Sequence, residues 1–200
     1  MEHDRSISIE LLEFWHYAEG LQRELRSGTL SNDRAESVAE HSWRMSIMAM
    51  VIAPKLHLKI DITRTLKMII IHDITEIEAK DIPSFEHFFN KKIAEKKKEK
   101  EKLAIIHLRK KFKNITSEIE KLWIEFEEQN SPEAKFVKAL DKLDSRIQVI
   151  DGSSTGKWSE DKILKYTQLR NVTAKLCSID SILKELEELS GKERKKKYGF

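Results

Sequence analysis

Three side chains that can bind a metal ion or carry a proton lie within five positions, directly after an apolar run. They are His72, Asp73 and Glu76, and they follow the run Leu66–Ile71. Imidazole nitrogens and carboxylate oxygens are ligands for zinc, manganese, iron and cobalt, and the same groups act as general acids and bases. The cluster therefore predicts either a metal site or a buried network of hydrogen bonds.

A helix from Leu66 to Glu76 would position these groups. Residues three and four apart share a helix face, so Ile69, Asp73 and Glu76 would line up, with His72 one step round. Burying an imidazole and two carboxylates without partners would cost several kcal/mol. A metal ion or a fixed hydrogen-bond network would offset that cost.

The composition is typical of one globular domain. The chain has 200 residues, 40% of them hydrophobic, and a mass of 23.5 kDa, which suffice for a single core. We expect one domain over residues 1–190 and a basic, frayed tail over residues 191–200. The single cysteine, Cys177, excludes an intrachain disulfide and any site built from cysteine pairs, so a metal would need His and carboxylate ligands.

The sequence contains no pattern typical of a membrane or secretory segment. The first residues lack a basic region followed by an apolar core, and the longest apolar run, residues 47–53, is too short to span a bilayer. The protein is therefore expected to be soluble and cytoplasmic, without a membrane partner.

The segment 91–113 is strongly basic. It carries ten lysines and one arginine against three glutamates, a net charge of +8, whereas the whole chain has +3 and the remainder therefore −5. Such an arm could meet the phosphates of a nucleic acid, yet charge runs are more often solvated helix faces. With no Gly or Pro and few apolar residues, residues 91–114 predict an exposed, mobile helix, and nucleic acid is the less favoured partner.

Apolar spacing and capping signals predict an all-α fold, a single bundle of about six to eight helices. The first helix would run from Ser8 to Ser27 and end at Gly28, and no stretch alternates with the period of a strand. Two further helices are predicted in the first half of the chain, one from the capping box Ser37/Glu40 to Pro54 and one from Asp61 or Thr63 into the His72-Asp73 pair. Five more are predicted in the second half: over 91–114, from the capping box Ser117/Glu120, from Ser131-Pro132 to Gly152, through Ile163–Val172 and through Ile182–Leu186. A flexible loop is predicted at 152–156.

Three of these helices each carry an ionisable residue in an apolar setting. His41 lies in the first turn of the second helix, the His72-Asp73 pair ends the third, and Asp141 lies on the flank of the helix after Ser131. Together they would form a shell of two imidazoles and two carboxylates. Such a shell leaves positions open on an ion with five or six ligands, so a water can bind, lose a proton near neutral pH and attack phosphorus.

The order His41, His72-Asp73, Asp141 resembles the H…HD…D pattern of the HD-domain superfamily of metal-dependent phosphohydrolases. The segments ESVAEHS (36–42), HDITE (72–76) and DIP (81–83) are similar to the branch that contains the 5′-deoxynucleotidases. The resemblance implies an HD-domain fold, a homodimer, and one divalent metal ion held by His41, His72, Asp73 and Asp141. The ion would be Mn, Co, Zn, Fe, Ni or Mg, and the substrates would be 5′-phosphates of deoxyribonucleosides.

The same resemblance implies roles for residues beside the metal. Glu76 would be the general acid or base, Arg26 would contact the phosphate, with Arg23 as a competing candidate, and Asp81 would lie by the substrate. Arginine offers a planar fork for phosphate oxygens, and a glutamate beside a dication can exchange a proton with water or a leaving oxygen.

Two positions depart from the family pattern. Ser27 stands where the bacterial nucleotidases carry a tryptophan, and Lys80 replaces the glycine usual before Asp81. The leading interpretation is a phosphomonoesterase that releases phosphate from deoxynucleoside 5′-monophosphates. The alternatives are an HD hydrolase that cleaves an alarmone or a cyclic nucleotide, and a non-catalytic metal-containing module that binds nucleic acid through residues 91–113.

Overall fold

The helix at the centre of the molecule is the one that the sequence predicts after Ser131. In the computed structural model, which describes residues 2–152 and 159–198, this helix spans Pro132–Gly152. The Ser131 hydroxyl accepts a hydrogen bond from the backbone N–H of Ala134 (3.1 Å), and Pro132 occupies the first helical position, as predicted. The helix packs against a small sheet and five other helices, so it supports both the core and the site.

The other elements surround this helix, and the predicted all-α class is confirmed. Nine of the described helices have eight or more residues, because the predicted helix through Ile163–Val172 is divided in two. In chain order the elements are α1 (Glu2–Ala18), α2 (Gly20–Arg23), β1 (Leu25–Thr29), β2 (Ala35–Ser37), α3 (Val38–Ile52), a 3-10 turn (Ala53–Lys55), α4 (Ile62–Ile71), α5 (Glu76–Ala79), α6 (Ser84–Phe89), α7 (Lys91–Lys111), α8 (Ser117–Glu128), α9 (Pro132–Gly152), α10 (Glu160–Gln168), α11 (Arg170–Cys177) and α12 (Ser181–Tyr198).

The expectation of a first helix through Ser27 is wrong. Helix α1 ends at Ala18, and after the short α2 the chain enters β1, which pairs antiparallel with β2. Gly28 lies inside β1 rather than at a helix end. A Cβ there would lie 2.2 Å from the Gln148 side-chain oxygen, so glycine allows the strand to approach α9 closely.

Besides Ser131, capping residues are predicted correctly at α3 and α4 and wrongly at α8. Ser37 and Glu40 form the capping box of α3, and Asp61 accepts a hydrogen bond from the backbone N–H of Arg64 at the start of α4. At α8 the predicted box is not formed, because the helix already includes Ser117.

The predicted continuous helix from Leu66 to Glu76 is also wrong. Helix α4 ends at Ile71, and the chain then makes tight turns, with hydrogen bonds from Ile74 N to Ile71 O and from Glu76 N to Asp73 O (both 2.9 Å). These turns place His72 and Asp73 at the end of an apolar helix, with the main chain changing direction.

Two basic segments pack more tightly than expected. Helix α7 is exposed over much of its first half, but Ala104, Ile105 and Leu108 are buried, since their spacing of three and four forms one apolar face. Helix α12 continues to Tyr198, so the chain is not frayed up to that residue. Arg194 is buried, and Lys197 Nζ donates to the Ile150 carbonyl (2.5 Å).

Two further expectations are only partly addressed by the fold. From Ser153 on, the predicted loop at 152–156 lies outside the described residues, and the domain division at residue 190 stays a prediction. Among the helices of residues 2–152 and 159–198, none is long and apolar enough to cross a membrane.

Candidate active site

The fold brings the four predicted metal ligands to one place. The Nε2 atom of His41 lies 3.9 Å from Asp73 Oδ2 and 3.5 Å from Asp141 Oδ1, and His72 Nε2 lies 3.1 Å from Asp73 Oδ2. One ligand atom from each of His41, His72 and Asp73 lies within 4.8 Å of the others, and Asp141 approaches from the His41 side. The capped start of α3, the end of α4 and the middle of α9 supply these residues.

Both imidazoles are oriented by a hydrogen bond at the opposite ring nitrogen. His41 Nδ1 lies 2.7 Å from Asp144 Oδ2, and His72 Nδ1 lies 2.7 Å from the carbonyl oxygen of Ile69. Because these oxygens only accept, Nδ1 carries the proton in each ring, and Nε2 of a neutral ring presents its lone pair. Neither Nε2 has a hydrogen-bond partner within the described part of the chain, although both are buried. The residues present therefore fit a divalent cation between them.

A second acidic group beside this cluster already has its counter-charges. Glu36, His41 and Asp144 also lie close enough to hold an ion. However, Arg44 Nε donates to Asp144 Oδ1 (2.6 Å), and Arg26 lies 3.3 Å from Glu36. Since arginines neutralise these carboxylates, the cluster supports His41 from behind and is a poorer metal site.

The electrostatics of the two carboxylate ligands favour the ionised form. Burial by itself would raise the pKa of Asp73 and of Asp141. Interaction with His72 outweighs burial for Asp73, and interaction with Lys142 and His41 does so for Asp141, so that both pKa values lie below the usual range. Ionised carboxylates are the form that binds metal.

Next to the four ligands is a cavity of about 190 Å³ with a basic wall. Arg26, Lys97, Lys138 and Lys142 line it. Although burial opposes the charge of Arg26, the carboxylates around it, first Asp73, raise its pKa, so it remains a cation. Arg26 also donates a hydrogen bond to Ser145 Oγ (3.0 Å), which fixes its guanidinium beside the metal ligands.

Glu76 and Asp81 line the same cavity as these basic residues. Glu76 Oε2 is buried without a hydrogen-bond partner among the described residues, and Oε1 lies 3.7 Å from Lys97 Nζ. Burial, followed by repulsion from Asp73 and Asp81, raises the pKa of Glu76 well above its usual value. Burial likewise raises the pKa of Asp81. Protonated and ionised forms of Glu76 are thus closer in free energy than for an exposed glutamate.

The chain also matches a known family and several known proteins. Residues 18–181 match the family model described as HD domain. This chain belongs to the HD-domain family. Curated relatives include 5′-deoxynucleotidase HDDC2 from Xenopus laevis, 33% identical over 73% of this chain and 71% of the relative, and the protein of that name from Danio rerio, 36% identical over 69% and 67%.

Solved structures agree with this HD-domain assignment. A predicted metal-dependent phosphohydrolase from Magnetospirillum magnetotacticum is 25% identical and superposes with a TM-score of 0.73, covering 92% of this chain and 93% of that one. A conserved hypothetical protein from Pyrococcus furiosus is 27% identical, with a TM-score of 0.66 and coverage of 92% and 99%. The predicted HD-domain fold is confirmed.

Several residues of this HD-domain cavity are not found by sequence reasoning. Lys97 lies in the basic segment that was interpreted as a solvated face, yet its side chain is mostly buried beside Glu76. Burial, together with the charges of Lys142 and Lys97, lowers the pKa of His87 to about 4, so this cavity residue is neutral at pH 7. Asp144, which holds His41 Nδ1, is not among the residues that the sequence assigns to the site. The spacing of three from Asp141 is the one signal that links it to the site.

The two departures from the family pattern also have structural settings. Lys80 has φ 72° and ψ 146°, a conformation that only glycine adopts without strain, and its Nζ lies 2.8 Å from Glu24. Ser27 lies in β1, next to Arg26.

Proposed function

We propose that this HD-domain protein is a metal-dependent 5′-deoxynucleotidase, which releases phosphate from deoxynucleoside 5′-monophosphates. One observation carries the proposal: the buried Nε2 atoms of His41 and His72, without a hydrogen-bond partner among the described residues, lie beside Asp73 at the wall of a cavity that Arg26 and Glu76 also line. The curated relatives named 5′-deoxynucleotidase support the choice of substrate.

In this proposal His41, His72, Asp73 and Asp141 hold one divalent ion. When bound, such an ion lowers the pKa of a water ligand and so supplies a nucleophile for attack on phosphorus. Two imidazoles and two carboxylates suit Mn, Co, Zn, Fe, Ni or Mg, and the choice among these metals depends on geometry and availability.

Arg26 and the lysines bind and orient the phosphate. The guanidinium of Arg26 can make two parallel hydrogen bonds to phosphate oxygens, and its hydrogen bond to Ser145 limits its movement. Lys138 and Lys142 add positive charge on the α9 side of the cavity, where negative charge on the phosphate develops.

Glu76 is the general acid and base that transfers protons during hydrolysis. Its raised pKa allows it to accept a proton from the attacking water at Oε2 and to return one to the leaving 5′-oxygen of the nucleoside. Lys97, 3.7 Å from Oε1, holds the carboxylate in place, and Asp81 lies where it can accept hydrogen bonds from the substrate.

A phosphate-release assay tests the proposal. The chelated protein, resupplied with each divalent ion in turn, is expected to release phosphate from deoxynucleoside 5′-monophosphates and to be inactive before metal is added. Glu76→Gln is expected to keep its metal while kcat falls about 10²-fold to 10⁴-fold. Glu99→Gln, on the exposed part of α7, is the matched control and should retain full activity. Pyrophosphate or a linear dinucleotide as product would instead support the alarmone or cyclic-nucleotide alternative.

We also propose a homodimer, formed through an apolar surface of α1, α3 and α4. Trp43 is 68% exposed, and Trp15, Val51 and Ile70 are also exposed on these helices. A groove of about 500 Å³ beside Trp43 and Ile70 could accept a side chain of a second copy. Light scattering should give about twice the mass of one chain. Trp43→Asp should shift it to one chain, whereas Leu103→Asp, at an exposed apolar position of α7, should not.

A further inference from the structure

A second cavity lies on the far side of Lys142 from the proposed active site. It measures about 40 Å³, is partly open, and is lined mainly by residues of α9, α11 and α12. Four of its lining residues are basic: Lys142, Arg146, Arg170 and Arg194. Ser84 and Lys142 line both cavities, so the two are neighbours that share one wall.

Arg146 lines this cavity and leaves two of its donor nitrogens unpaired within the described part of the chain. The residue is only 8% exposed, and its NH1 pairs with the buried carboxylate of Glu187. Its Nε and NH2 atoms are buried and have no hydrogen-bond partner among the described residues. A buried guanidinium that leaves two of its donor nitrogens unpaired is costly, so an acceptor is expected beside them.

The described lining of this cavity contains four basic residues and no acidic one. Among the described carboxylates, Glu187 acts on both buried arginines, and Arg146, Arg170 and Arg194 repel one another. Burial, followed by this repulsion, lowers the pKa of Arg194, and burial lowers that of Arg146 despite Glu187. Guanidinium groups stay charged at neutral pH even so, and an anion would relieve the repulsion.

Space and polarity limit what can fill the cavity. One water needs roughly 10–15 Å³ of space for its centre, so a cavity of about 40 Å³ holds about three waters or one tetrahedral oxyanion. A nucleoside is too large for it. Ser145 and Thr173 add hydroxyl donors to the wall. Gly191 keeps the space open for Arg146, since a Cβ there would lie 2.8 Å from NH2.

We propose that this cavity is a binding site for a free phosphate-sized oxyanion, with Arg146 as its central cation and Arg170 at its exposed edge. Inorganic phosphate, the product of the proposed reaction, has the right charge and size. The site is distinct from the catalytic cavity, because Arg146, Arg170 and Thr173 line only the second one.

Titration calorimetry of the metal-loaded protein with inorganic phosphate tests this site. The parent chain is expected to bind two phosphates, one in each cavity. Arg170→Gln, which removes an exposed charge, and Arg146→Lys, which keeps a cation opposite Glu187, should each weaken one of the two sites at least tenfold. Arg5→Gln, at an exposed position of α1, is the matched control and should bind as the parent does.

The outcomes separate this inference from the proposed function. If neither Arg170→Gln nor Arg146→Lys changes phosphate binding, while Arg26→Gln removes the only phosphate bound, the second site does not exist and the nucleotidase proposal still stands. If the protein hydrolyses no nucleotide but binds a phosphate that is lost in Arg170→Gln, the second site stands and the proposed function falls.

Discussion

Two neighbouring faces of helix α9 hold buried charge of opposite sign. Asp141 is a proposed metal ligand and Asp144 holds His41 from behind, at a centre where the Nε2 atoms of His41 and His72 have no hydrogen-bond partner among the described residues. Arg146 lines the second cavity, and its Nε and NH2 atoms likewise have no partner in the described part of the chain. A spacing of three keeps Asp141 and Asp144 on one face of the helix, whereas Arg146 lies on another face and Lys142 lines both cavities.

The two faces differ in how completely their buried charges are neutralised by residues of opposite charge. At the metal centre, Arg44 pairs with Asp144 and Arg26 pairs with Glu36. The four proposed ligands are therefore better placed to bind a cation than these two carboxylates. At the second cavity the buried carboxylate of Glu187 pairs with Arg146, but the charges of Arg146, Arg170 and Arg194 still repel one another. Replacing one acidic residue should therefore abolish metal binding at the first face. At the second face it should lower the stability of the folded protein.

The largest effect is expected at the metal face. Asp73→Asn removes the carboxylate that lies beside the Nε2 atoms of His41 and His72. A metal ion stabilises the transition state by several kcal/mol, so its loss should lower the rate about a thousand-fold or more. Elemental analysis should show that the metal is lost, and the phosphate-release rate should fall to that of the chelated protein. Full turnover by a metal-free Asp73→Asn protein would contradict the assignment. Asp161→Asn, at an exposed site, is the control.

The second face should respond through stability. Glu187→Gln leaves Arg146 without its counter-ion, and breaking a buried ion pair costs about 3 kcal/mol. Urea unfolding should show this loss, and added phosphate should restore more stability to this variant than to the parent, because ligand that binds only the folded state stabilises it. Glu188→Gln changes the exposed neighbour on α12. Equal stability of the two variants would mean that the arginines are balanced in another way.

A smaller effect is expected behind His41. Asp144→Asn weakens the partner that orients the imidazole, and losses of such partners lower metal affinity or activity by about 10-fold to 100-fold. A metal titration measures the change. Asp151→Asn removes a more distant contact of Arg44 (3.7 Å), does not touch His41 and should leave the affinity as it is. An unchanged affinity in Asp144→Asn would show that His41 is held by packing alone.

The smallest effect is expected at the rim of the metal cavity. Lys80→Gly should stabilise the fold by about 1 kcal/mol, because it relieves the strain of the positive φ while losing a largely exposed pair with Glu24. Thermal unfolding should show a rise of about 2–4 °C. Lys80→Ala loses the same pair but keeps a Cβ, so it should show no gain. A gain in both variants would place the cause outside the backbone.

Sequence reasoning did well wherever the signal was local. The capping box at Ser37, the cap at Asp61 and the Ser131-Pro132 start depend on residues three positions apart, and all three are confirmed. It failed where a distant element decided the outcome. Segment 25–29 pairs with β2 and lies on α9, which overrides the helical pattern that precedes it.

The sequence by itself determined the all-α class, the family, and the order of the His and Asp residues that could bind a metal, because helix periodicity and a spaced motif are written along the chain. Tertiary structure alone decided that α4 ends before His72, that Lys97 faces Glu76, and that arginines of α9, α11 and α12 surround one cavity. The physical reason is that the burial of a side chain and the charges around it depend on which helices and strands pack together. Local sequence patterns contain no information about contacts between elements that are distant along the chain.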